Sequence, residues 1–447
     1  MIHGTQPLGW VLFFLWSPLG SPAHLLQVDG RSGVDLLGRS SAQRQDGSVR
    51  TDPDLRITYF ARTNHRNAGV PFGIRQRDRL SHMYVIGKTG TGKSTLLRTM
   101  IAQDLRAGNG MALFDPHGDL VSDVRSLVPE GRLPDLTYLN VPDPALDWHF
   151  NPFAEVSRGS RALAAAGLVD AFRKIWPDDW GPRLEHLLRN VVFTLLETPG
   201  STLGDIPALL TDRTYRNSLV DGLEDDVVRD FWRDEFDKYS PGFRSVVIAP
   251  LQNKIGALLT NPLLRRIFVE PGRTIRLHSL MDRAGVLLVN LDKGRIGEGP
   301  ATIIGSLLLS HLALAGLSRS NQPATERVPF MVYLDEFQTF TTLTLANMLS
   351  ELRKYGVGMT LANQYLSQLE PEIRDAVFGN VGTLVSFRVG AADAEYLARE
   401  FAPTFSAVDL TSLPRYSVYL KLQIDGESSP PFSATTLGAL DEIPVQV

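Results

Sequence analysis

No cysteine occurs among the 447 residues, so disulfide bonds and thiolate metal sites are excluded and the composition fits a reducing compartment. Basic charge is not in excess either, because 45 Lys and Arg residues are set against 49 Asp and Glu residues. The chain therefore has no overall positive field, and any contact with nucleic acid must be local. The sequence also has no Gly-x-Ser-x-Gly nucleophile elbow and no His, Asp and Glu cluster with transition-metal spacing.

The amino-terminal part has no apolar run of the length that a spanning helix needs, which is about 20 residues. The run at residues 8–16 is broken by Ser17 and Pro18, and no Lys or Arg precedes it. We predict that residues 1–26 are an apolar leader or a single weak membrane anchor, with a mis-assigned start as the alternative. Residues 27–55 are rich in Gly, Ser, Arg and Asp and are predicted to be a linker.

A cationic stretch follows the linker. It is predicted to be a solvated face, and the alternative is a surface for phosphates or for a neighbouring subunit. Its members are Arg62, Arg66, Arg75, Arg77 and Arg79, opposed only by Asp78.

Short apolar runs alternate with helical stretches from residue 81 onward, which is typical of a parallel sheet covered on both faces. The predicted strands are 83–86, 111–114, 136–139, 286–290, 330–334, 359–362 and 383–387, with a further β pair near 416–424 at an edge. The sequence thus predicts an α/β fold with a mostly parallel sheet.

The alternation stops between residues 151 and 280, where apolar residues recur at helical spacing. The predicted helices are 161–172, 182–196, 201–210, 225–239 and 243–259. We therefore predict an inserted all-α domain at 151–280, between two parts of a nucleotide-binding domain at 56–150 and 281–447.

A phosphate-binding loop is predicted between the apolar run 83–86 and the helix that follows it. Lys93 is expected to reach the β- and γ-phosphates, and Ser94 to offer its hydroxyl to Mg²⁺. The alternative is a glycine turn with a serine that caps the helix. The predicted nucleotide-binding residues are Gly87, Lys88, Thr89, Gly90, Thr91, Gly92, Lys93, Ser94 and Thr95.

An acidic pair ends the apolar run 330–334. Asp335 is predicted to hold the metal, mostly through water, and Glu336 to polarise the water that attacks the γ-phosphorus. A strand that ends in a solvated acidic turn is the alternative. A carboxylate directly after the metal-binding one favours hydrolysis over phosphate transfer to a small acceptor.

Three more residues are candidates for the same reaction. Gln364, at the end of the next predicted strand, could hydrogen-bond the γ-phosphate and the attacking water, or simply close the strand. Arg353 could neutralise transition-state charge in the site of a neighbouring subunit, and Arg388 is a second candidate for that role. A surface arginine paired with a helix carboxylate is the alternative for Arg353.

Asp115 and His117 follow the second predicted strand and face the edge of the sheet where ligands collect. Asp115 could touch the metal shell. The pattern Asp-Pro-x-Gly is also ordinary turn chemistry, which is the preferred interpretation for His117 and stays open for Asp115.

These residues in their order resemble the FtsK/HerA superfamily of DNA-pumping ATPases, and within it most closely the conjugative coupling proteins of type IV secretion systems (TraG/TraD-like). The resemblance runs from about residue 59 to the carboxyl terminus. It rests on residues 87–95, 113–120, 333–338, 353–356 leading to 363–364, 379–383 and 387–390.

The resemblance implies a RecA-like motor domain with an inserted all-α domain, a homo-hexameric ring around DNA, and ATP with Mg²⁺ as cofactors. It also implies a trans-acting arginine, which maps to Arg353, and a DNA-stimulated ATPase that pumps DNA during transfer or secretion. Relaxosome or secretion-channel proteins are the expected partners, at a cytoplasmic location or at the cytoplasmic face of the inner membrane. Coupling proteins usually carry two amino-terminal membrane helices, whereas this chain offers one poor candidate in residues 1–26. The alternatives are a soluble HerA-like DNA motor for repair or defence and a nucleotide-regulated adaptor that recruits substrates.

Overall fold

The computed structural model describes residues 56–64, 69–438 and Ile443. The predicted leader at 1–26 and the predicted linker at 27–55 lie outside the described residues. The strands are β1 (Ile57–Thr63), β2 (Pro71–Arg75), β3 (Met83–Ile86), β4 (Gly110–Asp115), β5 (Leu136–Asn140), β6 (Trp148–His149), β7 (Arg273–Thr274), β8 (Val286–Asn290), β9 (Phe330–Leu334), β10 (Val357–Asn363), β11 (Thr383–Ser386), β12 (Ser417–Lys421), β13 (Gln423–Ile424), β14 (Glu427–Ser428) and β15 (Phe432–Thr436).

Eleven of these strands form one sheet, in the order β2-β1-β15-β12-β11-β3-β10-β9-β4-β8-β5. The block from β11 to β5 is parallel throughout and consists of the seven strands that the sequence predicts, so the predicted mostly parallel sheet is confirmed. The strands β12, β15, β1 and β2 extend it in antiparallel fashion.

The predicted edge position of the pair near 416–424 is wrong. β12 lies inside the sheet because β15 pairs with its outer side, and β1 and β2 continue beyond β15. β13 does not pair with β12 and instead forms a separate two-stranded hairpin with β14.

The helices cover both faces of the sheet and fill the stretch between β6 and β7. They are α1 (Gln76–Arg79), α2 (Lys93–Ala107), α3 (Asp119–Arg125), α4 (Arg161–Ile175), α5 (Pro182–Glu197), α6 (Ile206–Thr211), α7 (Arg213–Val220), α8 (Asp226–Asp230), α9 (Pro241–Thr260), α10 (Pro262–Phe268), α11 (Leu277–Asp282), α12 (Lys293–Ile296), α13 (Glu298–Ser318), α14 (Leu343–Leu352), α15 (Pro371–Asn380), α16 (Ala391–Phe401) and α17 (Ala407–Ser412).

The stretch between β6 and β7 contains α4 to α10, and the two short strands pair in parallel, so the two ends of the stretch meet. The division into domains stays a prediction.

Two predicted helices differ in detail. α6 begins at Ile206, after a single turn that Thr202 and Asp205 cap reciprocally. The helix predicted at 225–239 breaks after α8 into a π turn, Phe231–Glu235, where Trp232 packs on Phe236 with ring centroids 4.9 Å apart.

The core has two layers because successive strand residues face opposite sides of the sheet. Met83 and Val85 of β3 pack with α2 and α3, whereas Tyr84 and Ile86 pack with α13, α14 and the helices of the stretch from α4 to α10.

Helix α13 is apolar on all sides, which is typical of a helix that is buried all round. Within the described part of the chain, one helical segment, Glu298–Asn321, is long and apolar enough to cross a membrane. Its window of highest hydropathy is 89% buried inside the protein, so the segment serves as a central core helix here.

Candidate nucleotide site

The predicted phosphate loop lies between the end of β3 and the start of α2, at the edge of the sheet where the parallel strands end, which we call the carboxyl edge. Two glycines have left-handed backbones, Gly90 with φ 75° and Gly92 with φ 126°. A Cβ at Gly92 would lie 2.7 Å from Cδ1 of Tyr416, and the backbone N–H of Tyr416 donates to Thr91 O at 2.9 Å. The loop therefore needs glycine here because the aromatic ring packs directly on its backbone.

Lys93 is buried at the start of α2, and its Nζ donates to Gly87 O at 2.6 Å. Burial lowers the pKa of Lys93, and the negative charges of Glu336 and Asp335 oppose that shift. The lysine and both acids thus belong to one electrostatic site. Ser94, next along α2, is exposed at the amino end of this helix, where backbone N–H groups favour an anion.

Asp335 and Glu336 follow β9 and are 6% and 4% exposed, so both carboxyl groups are buried. The backbone N–H of Asp335 donates to Phe114 O of the neighbouring strand β4 at 3.1 Å. Burial, together with the negative charges of Asp115 and Glu336, raises the pKa of Asp335 to about 7. Oxygen ligands crowded in this way suit Mg²⁺, which takes one or two protein carboxylates, phosphate oxygens and water.

Glu336 has a left-handed backbone, with φ 47° and ψ 52°, which is uncommon for a residue with a Cβ. Residues held in such conformations concentrate at functional sites, where the surrounding structure stabilises them. The left-handed residue turns the chain sharply after β9.

A chain of hydrogen bonds connects the phosphate loop to Glu336. Thr89 Oγ1 donates to Gln364 Oε1 at 2.8 Å, and Gln364 Nε2 donates to Glu336 Oε1 at 2.6 Å. On the other side, Gln338 Nε2 donates to Glu336 Oε2 at 2.8 Å. Gln364 therefore lies between the loop and the acid. Gln338 is a residue that our sequence reasoning does not single out, because its contact depends on the turn at Glu336.

Asp115 is a turn residue in this structure. Its Oδ1 accepts from the His117 N–H at 2.8 Å and its Oδ2 from the Val121 N–H at 2.9 Å, so it fixes the start of α3. It still belongs to the site, because its charge contributes to the raised pKa of Asp335. The side chain of His117 is exposed.

The two candidate arginines lie at opposite edges of the sheet. Arg388 follows β11 at the carboxyl edge, and its carbonyl accepts the N–H of Lys88 at 2.9 Å. Arg353 precedes β10 and lies at the other edge, near His82 at the start of β3, where burial and the charge of Arg353 lower the pKa of His82 to about 4. Both arginines are exposed, and the structure does not bring Arg353 to the phosphate loop of its own chain.

Among the residues that the structure describes, no group of three or more His, Asp or Glu side chains could hold a metal by itself. A hydroxyl from Ser94 and a carboxylate from Asp335 are nevertheless the hard oxygen donors that Mg²⁺ accepts when phosphate oxygens and water complete its shell. The residues present therefore fit Mg²⁺ bound together with a nucleotide.

Comparisons with known proteins match two parts of the chain that contain these residues. Residues 63–133, which contain the phosphate loop, match the family described as the central domain of helicase HerA. Residues 329–410, which contain Asp335, Glu336 and Gln364, match the family described as the TraM recognition site of TraD and TraG. A search of curated protein sequences finds no match.

Solved structures share the fold. The plasmid coupling protein TrwB in complex with the GTP analogue GDPNP matches with a TM-score of 0.62 at 17% identity, over 87% of this chain and 90% of that one. TrwB with ADP and Mg²⁺ gives 0.59 at 16% identity, over 82% and 87%. VirB4 of Thermoanaerobacter pseudethanolicus gives 0.57 at 13% identity, over 87% and 98%.

Proposed function

We propose that this chain, an FtsK/HerA-type P-loop ATPase with the fold of the conjugative coupling proteins, hydrolyses ATP with Mg²⁺ and uses the reaction to move DNA. The observation that carries the proposal is that Lys93, Asp335 and Glu336 are all buried and that the charges of the two acids act on the lysine. Gln364 connects Glu336 to the phosphate loop in the same site.

Each residue of the site has a role in the proposed reaction that follows from its chemistry. Backbone N–H groups of residues 90–95 and the ammonium group of Lys93 bind the phosphates, and Lys93 then exchanges its bond to Gly87 O for phosphate oxygens. Ser94 and Asp335 hold Mg²⁺, which when bound neutralises the phosphate charge. Glu336 takes a proton from the water that attacks the γ-phosphorus, and Gln364 links the loop to that base.

Arg353 acts in this proposal on the site of a neighbouring subunit in a homo-hexameric ring. Its exposure and its place at the edge opposite its own phosphate loop support a role in trans. A mixing experiment tests this. Lys93→Ala and Arg353→Ala proteins, each inactive alone, should regain part of the ATPase activity when co-assembled, because some sites then combine an intact Lys93 with a neighbour's intact Arg353.

Arg388 provides the matched control for this experiment. Its backbone contacts the loop of its own subunit, which supports a role of its side chain in cis. Lys93→Ala mixed with Arg388→Ala should recover no activity. Recovery in this control, or none in the Arg353 mixture, would contradict the assignment.

DNA is the proposed substrate of the motor, gripped by local basic surfaces in the ring because the chain as a whole carries a net charge of −4. The test is the ATPase rate with single-stranded, double-stranded and no DNA, with the assembly state recorded in the same samples. We expect DNA to stimulate hydrolysis in an assembled ring and Lys93→Ala to abolish it. Robust hydrolysis that is indifferent to every nucleic acid would contradict a DNA motor.

A relaxosome protein is the proposed protein partner, since residues 329–410 match a family described as a TraM recognition site. The proposed location is the cytoplasm, with the ring at the cytoplasmic face of the inner membrane. Fractionation of cells that express the full chain tests this location, and recovery only in the cytosolic fraction would favour a HerA-like soluble motor instead.

A further inference from the structure

Gln338 lies in the single helical turn Phe337–Thr339 that follows Glu336. Only one of the two polar atoms of its amide forms a hydrogen bond among the described residues. Nε2 donates to Glu336 Oε2 at 2.8 Å. Oε1 is buried and, among the described residues, has no hydrogen-bond donor. This orientation is required, because the reversed amide would place its oxygen against a carboxylate oxygen.

A buried amide that satisfies only one end is a poor stabiliser. The unpaired oxygen keeps its full desolvation penalty, whereas an apolar side chain of the same shape would carry none. Stability alone therefore does not explain a glutamine at this position.

The two oxygens of Glu336 are each held by a different amide. Gln364 holds Oε1 and is tied to the phosphate loop through Thr89, so its position depends on the loop. Gln338 holds Oε2 and, among the residues that the structure describes, has no hydrogen bond to the phosphate loop. Gln338 lies inside the turn that is closed when the Thr339 N–H donates to Glu336 O at 3.0 Å.

The residue that precedes Gln338 makes this anchor rigid. Phe337 is fully buried, and its ring packs edge-on against Tyr84 with centroids 5.9 Å apart. The left-handed backbone of Glu336 turns the chain, and the amide of residue 338 meets the carboxylate of residue 336 across that turn. Movement of the phosphate loop can thus change the Gln364 contact while the Gln338 contact keeps the carboxylate in place.

We propose that Gln338 is a positioning residue for ATP hydrolysis: it fixes the Glu336 carboxylate toward the attacking water. The inference rests on the proposed function. In the step, the water oxygen bonds to the γ-phosphorus, the bond from that phosphorus to the bridging oxygen of ADP breaks, and the water proton passes to Glu336. Each oxygen of an ionised carboxylate has room for a second hydrogen bond, so the amides leave space for the water.

The test is Gln338→Met, which keeps the length of the side chain and removes the hydrogen bond. We expect kcat to fall by about 10- to 100-fold, the range for a misplaced catalytic group. KM for ATP should stay within about twofold because a positioning residue acts in the transition state. The urea midpoint should be unchanged or higher, which a structural role for Gln338 would not give.

Phosphate analogues separate positioning from binding. ADP with Mg²⁺ and aluminium fluoride imitates the transition state, and ADP with beryllium fluoride imitates the ground state. Gln338→Met should weaken binding of the aluminium complex by about the same factor as kcat and leave the beryllium complex unchanged. The control is Gln322→Met, which removes a half-buried amide whose solvent-exposed hydrogen bond also goes to a carboxylate, Asp282 Oδ2 at 3.2 Å. This control should behave like the wild type.

Wild-type kcat in Gln338→Met, or equal loss of both complexes, would overturn this inference alone. A wild-type protein that hydrolyses no ATP under any condition would overturn the proposed function and the inference with it. If Gln338→Met does not fold, Gln338→Leu makes the same comparison.

Discussion

Two buried clusters in this protein each combine a basic side chain with acidic ones, and they serve different ends. The first, which we call the core cluster, consists of Arg79, Asp104, Tyr333 and Thr58. Arg79 binds both oxygens of Asp104, at 2.7 and 2.8 Å, and also donates to Tyr333 and Thr58. Burial raises the pKa of Asp104, but the charge and hydrogen bonds of Arg79 more than offset this, so that the pKa is lowered overall.

The second, which we call the edge cluster, consists of Lys93, Asp115, Asp335 and Glu336. Glu336 and Asp335 act electrostatically on Lys93, and Asp115 acts on Asp335, but within the described part of the chain no ion pair joins Lys93 to these acids. Burial, together with the negative charges of Asp115 and Glu336, raises the pKa of Asp335 to about 7. The core cluster is complete in itself and we expect it to contribute to stability, whereas in the proposed function a cation and a phosphate complete the edge cluster. Four predictions test this difference.

Removing one partner of the core cluster should have the largest effect. Asp104→Ala leaves the Arg79 guanidinium buried without its counter-ion, and we expect a loss of about 3–5 kcal/mol in the free energy of unfolding. Urea denaturation measures it. Asp123→Ala, at an exposed position on α3, is the control and should stay within about 0.5 kcal/mol. A loss near that of the control would mean that the core cluster does not stabilise the fold.

The edge cluster should respond in activity and not in stability. Glu336→Gln keeps the shape but cannot accept the proton, so we expect kcat for ATP to fall about 10²- to 10³-fold. The free energy of unfolding should not decrease, because a buried negative charge is removed. Glu372→Gln, an exposed glutamate at the start of α15, is the control and should leave kcat unchanged. A destabilised Glu336→Gln protein would show that the edge cluster is structural as well.

The third prediction concerns the pH dependence of stability, which we expect Asp335 of the edge cluster to change. The folded-state pKa of Asp335 is about 7, above its ordinary 3.8. Its contribution to the free energy of unfolding is therefore fully present below pH 4 and is lost as the pH rises through 7. Without nucleotide and Mg²⁺, raising the pH through this range should therefore lower the free energy of unfolding of the wild type by about 2–4 kcal/mol more than that of Asp335→Asn. Urea titrations of both proteins across this range measure the difference. Parallel pH curves would contradict the raised pKa.

The smallest effect sharpens the account of the core cluster. Thr58→Val keeps the shape and removes one hydrogen bond, from Arg79 Nη1 at 2.9 Å, while the bonds to Asp104 remain. We expect a loss of about 1 kcal/mol in the free energy of unfolding. A loss as large as that of Asp104→Ala would mean that the cluster depends on every member equally.

Much of the fold could be predicted from the sequence because strands buried on both faces are continuous apolar runs. The strands of the parallel block were predicted in this way, as was the loop before α2. The position of β12 was not, since nothing local in its sequence shows that β15 pairs with its outer side.

The core cluster shows the same limit. Arg79 was predicted to belong to a solvated face, but it is buried and pairs with Asp104, which lies 25 residues away, and with Tyr333, which lies 254 away. The Gln338 contact depends on the left-handed backbone of Glu336, which no residue pattern indicates. Sequence patterns reveal repeated local spacing, whereas contacts between distant residues and unusual backbone conformations require the structure.

The most direct test of the central claim is calorimetric titration of ATP into the nucleotide-free protein with and without Mg²⁺. We predict that Mg²⁺ strengthens ATP binding in the wild type and that Lys93→Ala weakens binding under both conditions. In Asp335→Asn, binding should no longer depend on Mg²⁺. Binding that is absent with Mg²⁺ present, or unaffected by both substitutions, would contradict it.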